Sequence, residues 1–254
     1  YATYLAVSVF FVVALIKYGH NLFLKLAGSL LLPVTIYLIV ATESRANLLA
    51  VALGFFFSFL FLTKPFHRFV LVFFGSLALV VGGYVFFEEI QLAIQSVLAD
   101  FAFLTGDFEE GRSEDIRINL IQNALVFLFY SIGFGVGSGN AEFFMQYHFL
   151  FPTQGVVNVH NWWVEIMVDY GIIPFVGYVV LYLSLIILLY RHYKQAKDKH
   201  DKMISEALVA ALVAFSLASL SPSSMMILTY QWVLFAFAIG YLNMVRYRKR
   251  RNEA

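Results

Sequence analysis

The chain has 254 residues, of which 61% are hydrophobic and 13% are charged, and its mean hydropathy is +0.79. This composition excludes a soluble globular domain and indicates an integral membrane protein. The absence of cysteine excludes a disulfide framework, a thiol nucleophile and a cysteine metal site.

Seven apolar segments approach the ~20 residues that a helix needs to cross a bilayer. They cover residues 2–16, 22–40, 46–63, 69–87, 170–190, 204–221 and 226–245. We expect an all-α integral membrane protein with about seven transmembrane helices. Its three parts are transmembrane helices 1 to 4 (1–87), a long segment (88–169), and helices 5 to 7 with a basic tail (170–254). Because the first segment is short and begins at Tyr1 without an initiator methionine, we expect a C-terminal part of a longer protein.

The positions of lysine and arginine predict the orientation in the membrane. Alternate connections carry most of these residues: Lys17, Lys25, Lys64, Arg68, Arg191, Lys194, Lys197, Lys199, Lys202, Arg246, Arg248, Lys249, Arg250 and Arg251. The positive-inside rule assigns this set, and with it the C-terminus, to the cytoplasm. The other connections contain Arg45, Arg112 and Arg117, so each of these three outward arginines is a candidate site residue.

On this topology the long segment 88–169 faces outward. We therefore expect it to contribute most of any extracytoplasmic active site. Its first part, 88–101, has apolar residues at helical spacing and predicts an interfacial amphipathic helix. After an acidic turn, Ser113 is a plausible N-cap for a second helix over 114–131.

The second predicted helix has two distinct faces. One face carries polar residues, namely Asp115, Asn119, Gln122 and Asn123. Arg117 lies on the other side, at the spacing of Leu120, Ile121 and Ala124. A guanidinium on an apolar face either snorkels to lipid headgroups or meets a ligand, and both interpretations stay open.

Two further stretches of the outer segment combine local structure with candidate site residues. The sequence GFGVGSGN (133–140) predicts a break in the helix, and the turn could also bring the backbone close to a ligand. In the sequence NVHNWWVEIMVDYG (158–171), Asn161 can cap the fifth span, and Trp162 and Trp163 fit an aromatic belt. His160 would lie at the outer mouth of that helix, either as a hydrogen-bonded interface residue or as a functional group.

Three stretches taken together resemble the O-antigen ligase and polysaccharide polymerase superfamily of bacterial membrane glycosyltransferases. The first is Glu43-Ser44-Arg45-Ala46 at the start of an apolar span. The second is Arg117 followed by Ala124-Leu125 and Gly135-Val136-Gly137. The third is His160-Asn161 followed by Glu165 and Gly171-Ile172-Ile173. The resemblance covers about residues 40 to 190.

The resemblance implies a GT-C-like membrane fold and a metal-independent glycosyltransferase that needs no cofactor. Its donor would be a glycan linked to undecaprenyl diphosphate, and its acceptor a glycan, lipid or protein at the outer face of the bacterial plasma membrane. The implied catalytic residues are Arg45, Arg117 and His160; the implied substrate-binding residues are Arg112, Asn161, Glu165, Gly135 and Gly137. Arginine suits a diphosphate because its guanidinium forks bind phosphate oxygens at two points. An imidazole, with an ordinary pKa of about 6.5, suits proton transfer from an acceptor hydroxyl.

Two other function classes stay open. One is a transporter or flippase for a lipid-linked or anionic polysaccharide, which normally needs ionisable residues within the spans. The other is a scaffold in an envelope assembly complex, which would tolerate neutral replacement of Arg45, Arg117 and His160. The sequence does not separate a ligase from a polymerase or a protein glycosyltransferase, and it does not identify the sugar.

Overall fold

The computed structural model describes residues 1–64, 113–220 and 229–253. Across these ranges there are nine α-helices and one π-helical segment. The α-helices are α1 (Ala2–Tyr18), α2 (Leu22–Ala41), α3 (Arg45–Phe57), α4 (Ser113–Tyr130), α5 (Asn140–Tyr147), α6 (Trp162–Tyr170), α7 (Ile172–Gln195), α8 (Lys199–Ala218) and α9 (Thr229–Glu253). The π-helical segment Ser58–Leu62 continues α3. The predicted fourth span, the predicted amphipathic helix 88–101 and Arg112 lie outside the described residues.

The expected all-α membrane protein is confirmed. Over the described ranges, three helices are long and apolar enough to cross a membrane: Leu22–Ala41, Arg45–Leu62 and Ile172–Gln195. Polar caps set where two of the helices begin. Asn21 accepts a hydrogen bond from the Leu24 amide at 2.8 Å at the start of α2, and Asp198 accepts one from the His200 amide at 2.9 Å at the start of α8. The total of seven spans stays a prediction.

Helix α8 is the centre of the bundle and packs against α1, α3 and α7. Its buried positions include alanines at 207, 210, 211, 214 and 218, interleaved with Leu208, Leu212 and Phe215. Small side chains let helix backbones approach closely, which is the main source of packing energy where lipid replaces water. The hydroxyl of Tyr182 in α7 donates to the carbonyl of Leu212 and links these two helices.

One end of the bundle, here called the basic end, is held by a partly buried ion pair and two tyrosines. The Lys17 ammonium lies 2.7 Å from a carboxylate oxygen of Glu206, and the Tyr18 hydroxyl donates to the same carboxylate at 2.6 Å. The Tyr193 hydroxyl donates to the carbonyl of Leu62 at 2.6 Å. The C-terminal ends of α1, of the π segment and of α7 therefore meet near the start of α8.

The opposite end of the bundle contains the C-terminus of α8. There the Thr3 hydroxyl donates to the carbonyl of Ala218 at 3.4 Å, and the Trp162 amide donates to the carbonyl of Ser219 at 3.1 Å. The helix that begins at Arg45 and ends at Leu62 is 18 residues long, or about 27 Å. Because Leu62 lies at the basic end, Arg45 lies at the opposite end, with the start of α6.

Candidate active site

Helices α6 and α7 form a hairpin that the sequence interpretation did not foresee. The Trp162 indole nitrogen donates to the Tyr178 hydroxyl at 2.8 Å, so the start of α6 lies beside the second turn of α7. The chain reverses at Gly171, whose φ of 91° and ψ of 174° are accessible essentially to glycine alone. Asn161 was expected to cap the fifth span, but it begins a separate nine-residue helix folded back against that span. His160 therefore directly precedes the cap of α6, whose start lies beside the second turn of α7.

The expected aromatic belt is wrong for Trp162. This side chain is 1% exposed and belongs to the main core of the bundle. Trp163 is half-buried, and its indole nitrogen donates to the carbonyl of Ser216 at 3.1 Å. The hairpin turns both indoles toward α7 and α8, where their N–H groups find acceptors, so these side chains anchor α6 to the bundle.

The glycine-rich segment forms a turn that packs against the hairpin. The Val136 amide donates to the carbonyl of Val168 at 2.8 Å, and the Ile172 amide donates to the carbonyl of Gly133 at 2.9 Å. The predicted break in the helix is confirmed. The Gly135 amide donates to the Ser131 hydroxyl at 3.1 Å, and the Gly137 amide donates to the carbonyl of Asp169 at 2.9 Å. Both amides that the resemblance assigned to substrate thus have partners within the protein.

Asp169 organises this turn, and the sequence interpretation missed it. Its side chain is 5% exposed, and its two oxygens accept from the Gly139 amide at 3.0 Å and the Ala141 amide at 3.2 Å. Burial raises the pKa of Asp169 above its ordinary value, although these two hydrogen bonds act to lower the pKa. The signal in the sequence was a lone carboxylate near the end of the apolar stretch IMVDYGII.

The raised pKa of Asp169 predicts a pH-dependent stability. Folding favours the protonated carboxyl, so its contribution is fully present below pH 3.8 and is lost as pH rises through the raised folded-state pKa. As the pH rises from 3.8 through the folded-state pKa, we expect the thermal midpoint of the parent to fall relative to that of Asp169→Asn. The variant also loses one acceptor, a pH-independent cost of about 1–3 kcal/mol. Thermal unfolding in detergent at stepped pH measures both effects, and parallel pH profiles would contradict the assignment.

Two asparagines on the polar face of α4 form hydrogen bonds with the backbone of residues 150–152. Asn123 is fully buried, and its carbonyl oxygen accepts from the amides of Leu150 at 2.8 Å and Phe151 at 3.0 Å. Asn119 donates to the carbonyl of Pro152 at 2.9 Å. Helix α4 begins at Ser113, the predicted N-cap, one residue earlier than expected. Part of the predicted polar face is therefore structural.

The opposite side of α4 carries Arg117 and packs against the segment before α6. Leu120 and Ala124 are buried in one cluster with Val159 and Val168, as their helical spacing predicted. Arg117 itself is exposed. The guanidinium is therefore on a helix that packs beside the residue preceding His160.

The starts of α3 and α6 share an unusual backbone arrangement. Glu43 and His160 have positive φ values of 53° and 54°, and each precedes the N-cap residue of a helix. Left-handed conformations of non-glycine residues are uncommon and concentrate at functional positions. Both helix starts lie at the end of the bundle opposite the basic end, where Arg45 is exposed and His160 is half-buried.

Asn161 caps a helix as predicted, although this helix is α6 and not the fifth span. Its side-chain oxygen accepts from the amides of Trp163 at 3.1 Å and Val164 at 3.2 Å. Glu165 lies in the first turn of α6, where a carboxylate interacts favourably with the helix dipole.

Removing this cap is expected to weaken the fold measurably. Asn161→Ala should lower the free energy of unfolding by about 1 kcal/mol, because two amides lose their acceptor. Asn161→Asp keeps an acceptor oxygen and is the matched control, with stability close to that of the parent. Thermal unfolding of the purified protein in detergent measures the difference. Equal stability of Asn161→Ala and the parent would show that the cap contributes nothing.

A group of side chains with metal-ligand geometry lies elsewhere. Among the described residues, Asp198, His200 and Asp201 have ligand atoms within 4.8 Å of one another, at the basic end. Hydrogen bonds from the Asp201 and His200 amides lower the pKa of Asp198, which is the N-cap of α8. Asp198 in this group caps α8. The group lies at the start of α8, whereas α6 begins beside the end of α8.

Comparisons with known proteins agree with the motifs. The family described as O-antigen ligase matches residues 28–179. The chain is 31% identical over 253 residues to the teichuronic acid biosynthesis protein TuaE of Bacillus subtilis (strain 168). That alignment covers 100% of this chain and 52% of TuaE, so the chain spans about half the length of this relative. No solved structure matches the chain.

Proposed function

Because this chain belongs to the O-antigen ligase family, we propose that it transfers or polymerises a glycan during synthesis of a cell-envelope polysaccharide. The proposed donor is a glycan on undecaprenyl diphosphate, and the proposed acceptor is a glycan, a lipid or a protein. The proposed location is the outer face of the plasma membrane. Since the relative TuaE is named for teichuronic acid biosynthesis, teichuronic acid is the first product to test.

The observation that carries this proposal is the convergence of two helix starts at one end of the bundle. Helices α3 and α6 begin there, with Arg45 at the start of one and His160 before the start of the other. A helix N-terminus carries roughly half a positive charge from the helix dipole, and this charge attracts phosphate groups. Together with an exposed guanidinium, these two starts provide the positive potential that a lipid diphosphate requires.

The proposed reaction is a displacement at the anomeric carbon of the donor sugar. An acceptor hydroxyl oxygen forms a bond to this carbon, and the bond from the carbon to the diphosphate oxygen breaks. The hydroxyl proton passes to His160, with Glu165 as the alternative base, and undecaprenyl diphosphate leaves. Arg45 and Arg117 stabilise the negative charge that develops on the leaving oxygen. Arg112 is a further candidate for contact with the diphosphate.

The experiment is transfer by the full-length protein in liposomes that contain an undecaprenyl-diphosphate glycan and an acceptor. We expect a covalent glycan product and release of undecaprenyl diphosphate without added nucleotide or metal. His160→Ala should abolish the product, while His148→Ala, which removes an exposed imidazole elsewhere in the outer segment, should not. Movement of the donor across the bilayer without a covalent product would overturn the proposal in favour of a transporter.

A further inference from the structure

We propose that the turn after α4 inserts into the lipid bilayer beside the start of α7. Four large apolar side chains, two at the end of α4 and two in this turn, are between 70% and 85% exposed, and two more follow at the start of α7. This apolar patch consists of Phe129, Tyr130, Ile132, Phe134, Ile172 and Ile173. Contiguous exposed apolar surface of this kind marks contact with lipid or with another protein.

The patch is continuous with a helix that itself meets lipid. The Ile172 amide donates to the carbonyl of Gly133 at 2.9 Å, which fixes the turn against the first residue of α7. Helix α7 is a candidate membrane span with a largely unburied surface. Residues 118–141 and 170–190 contain no charged side chain and no histidine. Lipid around the start of α7 would therefore also meet the turn. The nearest carboxyl group, that of Asp169, is only 5% exposed and is hydrogen-bonded to the Gly139 and Ala141 amides.

Ile132 provides a second, independent observation. It has a φ of 54°, a left-handed conformation that a β-branched side chain rarely adopts. Its neighbours hold it there, because the Ile132 amide donates to the carbonyl of Phe129 at 2.9 Å and the Gly133 amide donates to that of Leu128 at 2.9 Å. Asparagine or glycine would fit this conformation with less strain. An isoleucine that is both strained and 85% exposed is unfavourable in water, and insertion into lipid removes the cost of exposure.

Lipid is preferred over a second copy of the chain because the turn is hydrogen-bonded to the first residue of α7, which is itself a candidate membrane span. A protein partner on the turn would have to displace lipid from the start of that helix as well. Tyr130 in the patch is also typical of the boundary between lipid and water. The turn would thus rest at that boundary and fix how deeply the contact between Gly133 and Ile172 lies in the membrane.

These 254 residues contain no cysteine, so each single-cysteine variant takes one spin label once any cysteine elsewhere in the full-length protein has been replaced by serine. The full-length protein is reconstituted in phosphatidylethanolamine–phosphatidylglycerol vesicles with a label at Ile132→Cys or, where φ is not positive, at Phe134→Cys. Collision with oxygen, which partitions into lipid, is compared with collision with a water-soluble nickel chelate. Val180→Cys, which lies on the exposed surface of α7 outside the patch, is the lipid reference, and Glu142→Cys on α5 is the water reference.

We expect the logarithm of the oxygen-to-chelate collision ratio to be positive at 132 and 134, as at 180, and negative at 142. A negative value at 132 and 134 would place the turn in water and overturn the proposal. A label accessible to neither reagent would mean that protein, such as a second copy of the chain, covers the patch, and this result would overturn it too. The result at Phe134→Cys decides the matter if Ile132→Cys does not fold.

Discussion

Replacing Arg45 or Arg117 with alanine is expected to slow glycan transfer by about 10²–10³-fold, the usual loss when one charge-stabilising group is removed from an active site. In the proposed reaction each guanidinium meets the diphosphate as its negative charge grows, so the loss should fall mainly on the turnover rate. Both side chains are exposed at the surface of their helices, so neither truncation should disturb the packing. Initial rates with purified lipid-linked donor measure the effect.

Lysine replacements separate charge from geometry in the same experiment. Arg45→Lys and Arg117→Lys keep a positive charge but lose the two-point contact with phosphate, so intermediate rates are expected. Arg191→Ala, which removes an exposed arginine near the basic end, is the matched control and should transfer at the parental rate. Parental rates in both Arg45→Ala and Arg117→Ala would remove the arginines from the mechanism and favour a scaffold.

Replacing Gly171 with alanine is expected to destabilise the protein by about 3 kcal/mol or more. An added Cβ would lie 2.5 Å from the carbonyl oxygen of Phe134 and 2.6 Å from that of Gly133. The neighbouring atoms are backbone held by hydrogen bonds, so they cannot move aside cheaply. The positive φ of 91° adds strain of its own. The thermal midpoint in detergent should fall by roughly 6–12 °C.

Gly139→Ala is the matched control for this prediction. Gly139 has a φ of 73°, but nothing lies within 4 Å of an added Cβ. Its replacement should cost only about 1–2 kcal/mol, the strain of the left-handed conformation. If both alanine variants unfold at the same temperature, the close approach at Gly171 is not what stabilises the hairpin.

Local sequence signals predicted part of the helical organisation. The start of α4 near Ser113, the glycine-rich break and the capping role of Asn161 depend on interactions within a few residues, and the structure confirms them, whereas α5 and α6 were not predicted as separate helices. The hairpin at Gly171 was not predicted, because hydrophobicity continues from Trp162 into α7 and is insensitive to the direction of the chain. The reversal depends on the backbone conformation of Gly171, which has a positive φ.

The candidate site was predicted less completely for a related reason. Arg45 and His160 were selected by motif, but their placement at one end of the bundle depends on α8, which lies outside those motifs. Asn123 was assigned to a polar face, yet its amide holds backbone almost thirty residues away, a contact that helical periodicity does not report. Trp162 was misassigned because buried and interfacial tryptophans have the same sequence pattern.

The short length of α6 has a consequence for how distant changes reach the proposed base. A nine-residue helix is not stable alone, so its position is dictated by what fastens it. Ser219 and Ser216 of the α8 terminus hold its beginning, and the glycine turn holds its end. A substitution that shifts Ser216, which is 53 residues from Trp163 in sequence, would therefore tilt the helix and carry the imidazole of His160 with it.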